Sequence, residues 1–273
     1  RHLGTDHTEL YVSESDALDV IPDLPRLYDE PFADSSQIPT YLVSKLARQH
    51  VKVALSGDGG DELFGGYERH AWGPRVATAI GIIPLSLRRM FGRLVRSVSV
   101  EKMDTFSSGM SGWMRGQNQK RRVGEKMHKL AHTLEAASPE DLYLRLSSQG
   151  TPLEGAVLDA SGSRFDLKGG IGWPGLGGVS ERIMLLDAEG YLHDDILTKV
   201  DRASMGVSLE ARIPLLDHRI FEFAWRIPMG MKIRDGQGKW LLRQLLYRYV
   251  PRELIERPKM GFGVPLAGWL RGE

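Results

Sequence analysis

Cysteine is absent from this 273-residue chain. That excludes disulfides, thiolate zinc sites and a cysteine nucleophile, and it leaves the redox compartment open. No run approaches the ~18 consecutive apolar residues of a membrane span, so a soluble protein without a membrane partner is expected. An excess of one charge is missing too: 36 Lys and Arg oppose 35 Asp and Glu, a formal net charge of +1. A dedicated polyanion binder would carry a basic stripe and a high pI, so nucleic acid is not an expected partner. The opening residues Arg1, His2, Leu3 and Gly4 lack a Met and the n- and h-regions of a secretory signal, and they read as the middle of something longer. With 41% hydrophobic residues, folding buries roughly three quarters of the unfolded surface. One large domain or two small ones can be built on that.

Residues 8–12 alternate polar and apolar side chains, as a short strand does. Residues 15–28 have helical spacing interrupted near Pro22 and Pro25. Ser35 or Ser36 can cap a second helix with Pro39 in its first turn and Ile38, Leu42 and Leu46 on its apolar face. Residues 51–55 (Val-Lys-Val-Ala-Leu) read as a strand. Helix, strand, Gly-rich loop and helix make the rhythm of an α/β unit with a parallel sheet. After Tyr67 the strand signals fade, and helical spacing recurs near 85–97, 120–135, 139–149, 181–205, 217–226 and 238–249. Glycines 169, 170, 172, 175, 177 and 178 predict a long loop. The expected architecture is α/β: a sheet-edge part over residues 1–80, then a mainly helical part over 81–273.

Residues 84–130 hold eleven Lys or Arg against three acids. Arg88, Arg89, Arg93 and Arg96 fall at spacings that share a helix face. A solvated face is the preferred reading over an RNA patch, because few aromatics interleave. His128 and His132 stand four apart, as metal ligands can. Lys129 nevertheless follows where a zinc-protease motif places Glu, and no third ligand is evident, so a structural role is preferred.

The run Ser56-Gly57-Asp58-Gly59-Gly60-Asp61-Glu62-Leu63-Phe64-Gly65-Gly66-Tyr67 leaves the carboxyl end of a predicted strand and enters a helix. Ligands of open α/β sheets bind at that edge. Close-set glycines let the backbone approach a ligand, and the amides of a strand-to-helix turn favour an anion. The loop lacks the Gly-Lys-Ser/Thr ending of a Walker A motif and carries three carboxylates instead. Carboxylates repel bare phosphates, so a nucleotide fits only if a hard cation such as Mg²⁺ bridges them. The alternative is a Gly-rich turn whose acids cap the following helix.

This loop resembles the second conserved motif of the synthetase domain of asparagine synthetases. Asp29-Glu30-Pro31-Phe32-Ala33-Asp34, with Ser35 to Thr40, is similar to the stretch preceding that motif. Asp195 to Met205 and Glu210 to Asp217 resemble the family's central helical block. Gly238-Lys239-Trp240-Leu241-Leu242-Arg243 and Arg257-Pro258-Lys259-Met260-Gly261-Phe262 resemble its closing segments. The matches occur in family order from about residue 3 to the end. The resemblance implies an ATP-pyrophosphatase fold of the adenine-nucleotide alpha-hydrolase kind, ATP and Mg²⁺ as cofactors, and cytoplasmic amidation of a carboxylate through an acyl-adenylate. By position it implies that Ser56 and Gly57 contact the nucleotide, that Asp61 holds Mg²⁺, and that Asp58 helps to form or use the adenylate. Lys239 would stabilise charge near the α-phosphate and pyrophosphate, with Arg257 and Lys259 covering the pyrophosphate. Asp195, Lys199 and Arg202 are read as i,i+4 and i,i+3 pairs along one helix.

Two family parts are not found: the Ser-Gly-Gly-x-Asp-Ser pyrophosphate loop, and the glutaminase domain that opens on a cysteine. Both would lie upstream of Arg1, so the chain is expected to lack glutaminase activity and to bind ATP very weakly by itself. The implied partners are aspartate or a related carboxylate, ATP, ammonia from glutamine and the upstream glutaminase domain, with a homodimer as an open option. Aspartate is the default acceptor. Asp58 replaces the Glu more usual in the dedicated asparagine enzymes, which leaves a sugar uronate, or a non-catalytic member of the family, as the alternative.

Overall fold

A computed structural model describes residues 2–110, 123–147, 176–256 and 264–270. The chain divides into two compact units, Arg1–Glu68 with Met184–Glu273, and Arg69–Ile183.

In chain order, α1 (Glu14–Leu18) starts at Ser13 with a capping box. The Asp16 amide donates to the Ser13 hydroxyl, and the Ser13 amide donates to the Asp16 carboxylate. Proline then keeps the next two elements short: a 3₁₀ turn at Ile21–Asp23 leads into α2 (Leu24–Tyr28), as the interrupted pattern predicts. Next come α3 (Gln37–His50), β1 (Val53–Leu55) and α4 (Gly60–Phe64). Six further helices succeed them: α5 (Glu68–Ile82), α6 (Leu85–Arg96), α7 (Val100–Met110), α8 (Val123–Leu134), α9 (Pro139–Ser147) and α10 (Val179–Leu186). A π-helical stretch at Asp187–Leu197 runs into α11 (Thr198–Met205), and then comes β2 (Glu210–Arg212). The chain continues through α12 (His218–Arg226), α13 (Met229–Lys232), α14 (Trp240–Leu246), α15 (Arg252–Ile255) and α16 (Leu266–Trp269).

β1 and β2 pair in parallel, with Val53 opposite Glu210, Ala54 opposite Ala211 and Leu55 opposite Arg212. The ladder extends through Glu210 N–H to the Lys52 carbonyl at 2.9 Å and Ser56 N–H to the Arg212 carbonyl at 2.8 Å. Among the described residues the sheet holds these two strands. The parallel α/β expectation holds at this level. Residues 8–12 form no strand: they are exposed throughout, and alternation without a surface to cover gives no sheet. Ser36 does stand at the N-cap of α3, but its hydroxyl donates to Asp34 at 2.8 Å and does not cap.

In the first unit, Leu63 and Phe64 of α4 pack with Ala224 and Ile227, and Leu216, Leu241 and Leu242 close around them. A second cluster joins Ala17, Val20 and Ile38, with Leu42 against it. The other unit centres on Ala136, Leu142 and Leu146 under Trp72, Val76 and Ile80 of α5. There the expected solvated arginine face is corrected. Arg88 is 6% exposed. It donates to the carbonyls of Ile83 at 2.8 Å, Leu134 at 2.7 Å and Ala136 at 2.6 Å, closing the C-terminus of α8. Arg89, Arg93 and Arg96 stay exposed, and Arg96 pairs with Glu135 at 2.5 Å. His128 donates from Nε2 to the Val98 carbonyl at 2.9 Å. Burial, then Arg145, lowers the pKa of His132. Among the described residues no three His, Cys, Asp or Glu gather to hold a metal ion. Residues 169–175 of the expected glycine loop lie outside the described residues.

Arg88→Met removes the donor to three carbonyls and is expected to lower unfolding free energy by about 2–3 kcal/mol. Urea denaturation measures it, and a loss below about 1 kcal/mol would sink the capping role.

Candidate functional site

Ser56 leaves β1 with its N–H committed to β2, so its backbone cannot serve an anion. Its hydroxyl donates to Asp58 Oδ2 in a short hydrogen bond. Gly57 is exposed, with nothing within 4 Å of where a Cβ would stand, so the chain is open to a ligand there. Gly59 and Gly65 begin and end α4 in the left-handed region, at φ of 79° and 69°. This one-turn helix therefore presents Asp61 on its first turn while burying Glu62, Leu63 and Phe64.

Asp61 meets Lys239 at 2.8 Å, each about 30% exposed at the side chain. What brings Lys239 there is a tight turn. Arg234 and Gln237 bridge around Asp235 and Gly236, whose φ values of 52° and 77° are those of a type I′ hairpin. The turn delivers Gly238 against the backbone of the loop: a Cβ at 238 would lie 2.1 Å from the Gly65 carbonyl oxygen, so only glycine fits. Lys239 N–H then donates to the Phe64 carbonyl at 2.9 Å. Lys239 itself has φ 56° and ψ 31°, a left-handed conformation that a non-glycine residue adopts at a cost. The structure thus unites Ser56, Gly57, Asp58, Asp61 and Lys239 on one strand-to-helix edge. Arg257 and Lys259 lie outside the described residues.

Glu256, just before them, carries no signal of its own in the sequence. It accepts from Arg243 at 3.1 Å, from Gln237 at 3.2 Å and from the Tyr247 hydroxyl. The Tyr247 bond, with Arg243 and Gln237 assisting, holds its carboxyl below the usual range. Glu256 therefore ties the end of α15 to the helix that Lys239 begins. The Asp-Gly pair at 235–236 is the sequence signal that could have revealed the turn.

Asp195, Lys199 and Arg202 do not form the expected pairs along one helix. Lys199, 8% exposed, binds Asp34 at 2.5 Å, and Arg202 binds Asp29 at 3.1 Å. Their partners lie in the segment before α3, which spacing within one helix cannot reveal. Asp195 hydrogen-bonds Asp34; burial first, then the Asp34 charge, pushes its carboxyl up to about 6. Burial opposes ionisation of Asp34 as well, but the bonds from Lys199 and Ser36 outweigh it and hold its carboxyl below the usual value. Below about 6 Asp195 is the acid that holds the proton, and Lys199 neutralises the charge of Asp34.

The donor set suits Mg²⁺ with a triphosphate. Asp61 and Asp58 present hard carboxylate oxygens, Lys239 stands against Asp61, and Gly57 beside Asp58 is open. A shallow depression lined by Pro214, Asp217, Arg219, Ile220 and Phe223 contains none of these residues.

The family model described as asparagine synthase matches residues 1–273. A Mycobacterium bovis protein, provisionally named asparagine synthetase [glutamine-hydrolyzing], is 33% identical over 98% of this chain and 38% of its own length. Asparagine synthetase [glutamine-hydrolyzing] 1 of Bacillus subtilis is 31% identical over 99% of the chain and 40% of its own. A Methanocaldococcus jannaschii protein, provisionally named asparagine synthetase [glutamine-hydrolyzing] 2, reaches 51% over 28% of this chain and 15% of its own. The chain thus spans about two fifths of the length of the first two relatives. There is no significant match among solved structures.

The raised Asp195 carboxyl makes stability depend on pH. Asp195 has a folded pKa above its unfolded value of 3.8, so its contribution is complete below 3.8 and is lost as pH rises through about 6. Asp34 acts oppositely: its contribution is present above 3.8 and is lost as pH falls through its lowered value. Asp195→Asn should therefore gain about 1–2 kcal/mol on the wild type between pH 4 and pH 8, after discounting for half exposure. Chemical denaturation at the two pH values measures the gain, and parallel stability curves would refute the raised Asp195 carboxyl.

Proposed function

The chain belongs to the asparagine synthase family, and from that premise we propose that it carries part of the nucleotide site of an ATP-dependent amide-forming ligase. The observation that carries the reading is the Asp61–Lys239 pair at the strand edge. These opposite charges neutralise each other at 2.8 Å, and a magnesium triphosphate offers each a new partner of opposite sign. Asp61 would hold Mg²⁺, which when bound neutralises phosphate charge. Lys239 would meet the phosphate oxygens, its side chain starting from a backbone whose N–H is bonded to the Phe64 carbonyl. Gly57 leaves room for the nucleotide. Arg257 and Lys259 would complete the cover over the pyrophosphate.

In the proposed reaction the carboxylate oxygen of the acceptor attacks the α-phosphorus of ATP, and the bond to pyrophosphate breaks. Ammonia then attacks the acyl carbon of the resulting adenylate, AMP departs, and the nitrogen loses its proton to leave an amide. Asp58 stands at the loop tip, held by Ser56, where it can orient acceptor or adenylate. We assign aspartate as the acceptor and place the reaction in the cytoplasm, with an ATP-pyrophosphatase fold, glutamine as the nitrogen source through an upstream glutaminase domain, and a homodimer as the assembly to test. Among the described residues no helix is long and apolar enough to cross a membrane. Replacement of the longer Glu by Asp58 keeps a sugar uronate as the second reading. Removing one methylene draws the carboxylate back by roughly 1.5 Å and leaves space for a bulkier acid.

Labelled pyrophosphate exchange into ATP by the full-length gene product tests this. Exchange dependent on aspartate is the expected result. Exchange only with a uronic acid would replace the substrate, and no exchange with any acid from folded protein would move the assignment to a non-catalytic member. Lys239→Ala and Asp58→Asn should each reduce exchange by about 100-fold or more.

A further inference from the structure

We propose that the hydrogen bond between Tyr67 and Glu62 is a clasp that positions the Asp61–Lys239 pair. Nothing in the proposed chemistry uses Tyr67 or Glu62, and both act through the backbone beside the pair.

Glu62 is 1% exposed. An acid placed so is costly unless hydrogen-bonded. The Tyr67 hydroxyl supplies that bond, donating to Glu62 Oε1 at 2.5 Å. Burial, then Glu62, pushes the Tyr67 hydroxyl far up, so it remains a donor at any working pH. The Tyr67 ring is also met edge-on by Tyr191, with centroids 5.7 Å apart at 74°. The ring is thus fixed both at its tip and along its side.

The clasp lies one residue beyond the pair of contacts it governs. Residues 62 and 67 are bonded through their side chains, while residues 61 and 66 are bonded through their backbone, Gly66 N–H to the Asp61 carbonyl at 2.8 Å. The backbone of Gly66 is the wall behind the ion pair. A Cβ added there would lie 1.9 Å from Asp61 Oδ1 and 2.4 Å from Lys239 Cε. No side chain fits between the wall and the pair, so movement of the wall is movement of the pair's boundary. Gly65 and Gly66, two residues without side chains, have little stiffness of their own. Tyr67, anchored to Glu62, supplies it.

The clasp rests on geometry, and its consequence for catalysis rests on the roles proposed for Asp61 and Lys239, so two measurements separate them. The first needs no nucleotide, metal or activity: acylation of the Lys239 amine by a water-soluble reagent, followed by mass spectrometry on this chain and on the full-length protein. Lys45, exposed on α3, is the internal reference. Tyr67→Phe and Glu62→Leu both break the bond, and each should raise the Lys239 rate about fivefold with Lys45 unchanged. Glu62→Gln, whose amide oxygen still accepts from Tyr67, should stay near the wild type. The double variant Tyr67→Phe/Glu62→Leu should be no faster than either single change. An unchanged Lys239 rate in either folded bond-breaking variant overturns the clasp. So does a rise shared by all lysines, which would mark general destabilisation.

The second measurement is pyrophosphate exchange by the full-length protein, where Tyr67→Phe should raise KM for Mg-ATP about tenfold with kcat little changed. A fall in kcat at constant KM overturns the positioning role. No exchange from the wild type removes the proposed activity, and the labelling result still decides the clasp.

Discussion

Every feature of the strand edge depends on how closely two backbone segments approach, residues 64–66 at the end of α4 and residues 238–239 at the start of α14. The Gly238 carbon has room only because it bears no side chain facing the Gly65 carbonyl, and the Lys239 amide closes the contact on Phe64. This is a backbone-to-backbone weld between segments far apart in the chain. Asp61 and Lys239 meet because of it, and not because their attraction brought them together. A partly exposed ion pair is worth about 1 kcal/mol or less, too little to hold a lysine in the left-handed region while ordering two segments. The apolar packing beneath does that: Leu63 and Phe64 below the loop, and Leu241 and Leu242 one turn beyond Lys239, share one cluster. The core fixes the weld, and the weld sets the charges.

The loop itself was legible in the sequence because its chemistry is local. A strand, close glycines, three carboxylates and a helix lie within fifteen residues, and the prolines at 22 and 25 mark interruptions without reference to anything distant. The features that could not be read are those that depend on partners elsewhere. Arg88 falls among basic neighbours that are solvated, and only the end of α8 makes it a buried cap. Residues 8–12 alternate as a strand does, but alternation reports a surface only where one exists to be covered. β2 was missed because Glu-Ala-Arg carries no strand signal; it is extended because β1 lies beside it. Lys199 stands four residues from Asp195, and spacing has no means of showing that Lys199 meets Asp34 or that Arg202 meets Asp29. The left-handed Lys239 could have been approached through Asp235-Gly236, a strong short-range hairpin signal that places the next residues at a bend.

The parallel pairing of β1 and β2 explains why the acidic and basic clusters occur where they do. Asp34 stands just before α3, and α3 runs into β1 through two residues; Lys199 stands in the first turn of α11, and α11 runs into β2 through four. A helix that feeds a parallel strand must run back against it. Its start therefore lies on the side where the strand ends. The Asp34–Lys199 bond, joining the starts of both helices, belongs to the side where Ser56 leaves β1 and Ile213 leaves β2. Helix starts favour negative charge, which suits Asp34, two residues before the N-cap of α3, and Lys199 and Arg202 are the cations that meet Asp34 and Asp29 there. The loop with Asp58 and Asp61 departs from that same side of the sheet. A polyanion approaching it would meet acids at every point if Lys199, Arg202 and Lys239 were absent. Each of these cations is held by a carboxylate, Lys199 by Asp34, Arg202 by Asp29 and Lys239 by Asp61. Under the proposed function, a ligand that brings both signs of charge, as a phosphate with its metal does, offers each of these pairs a new partner.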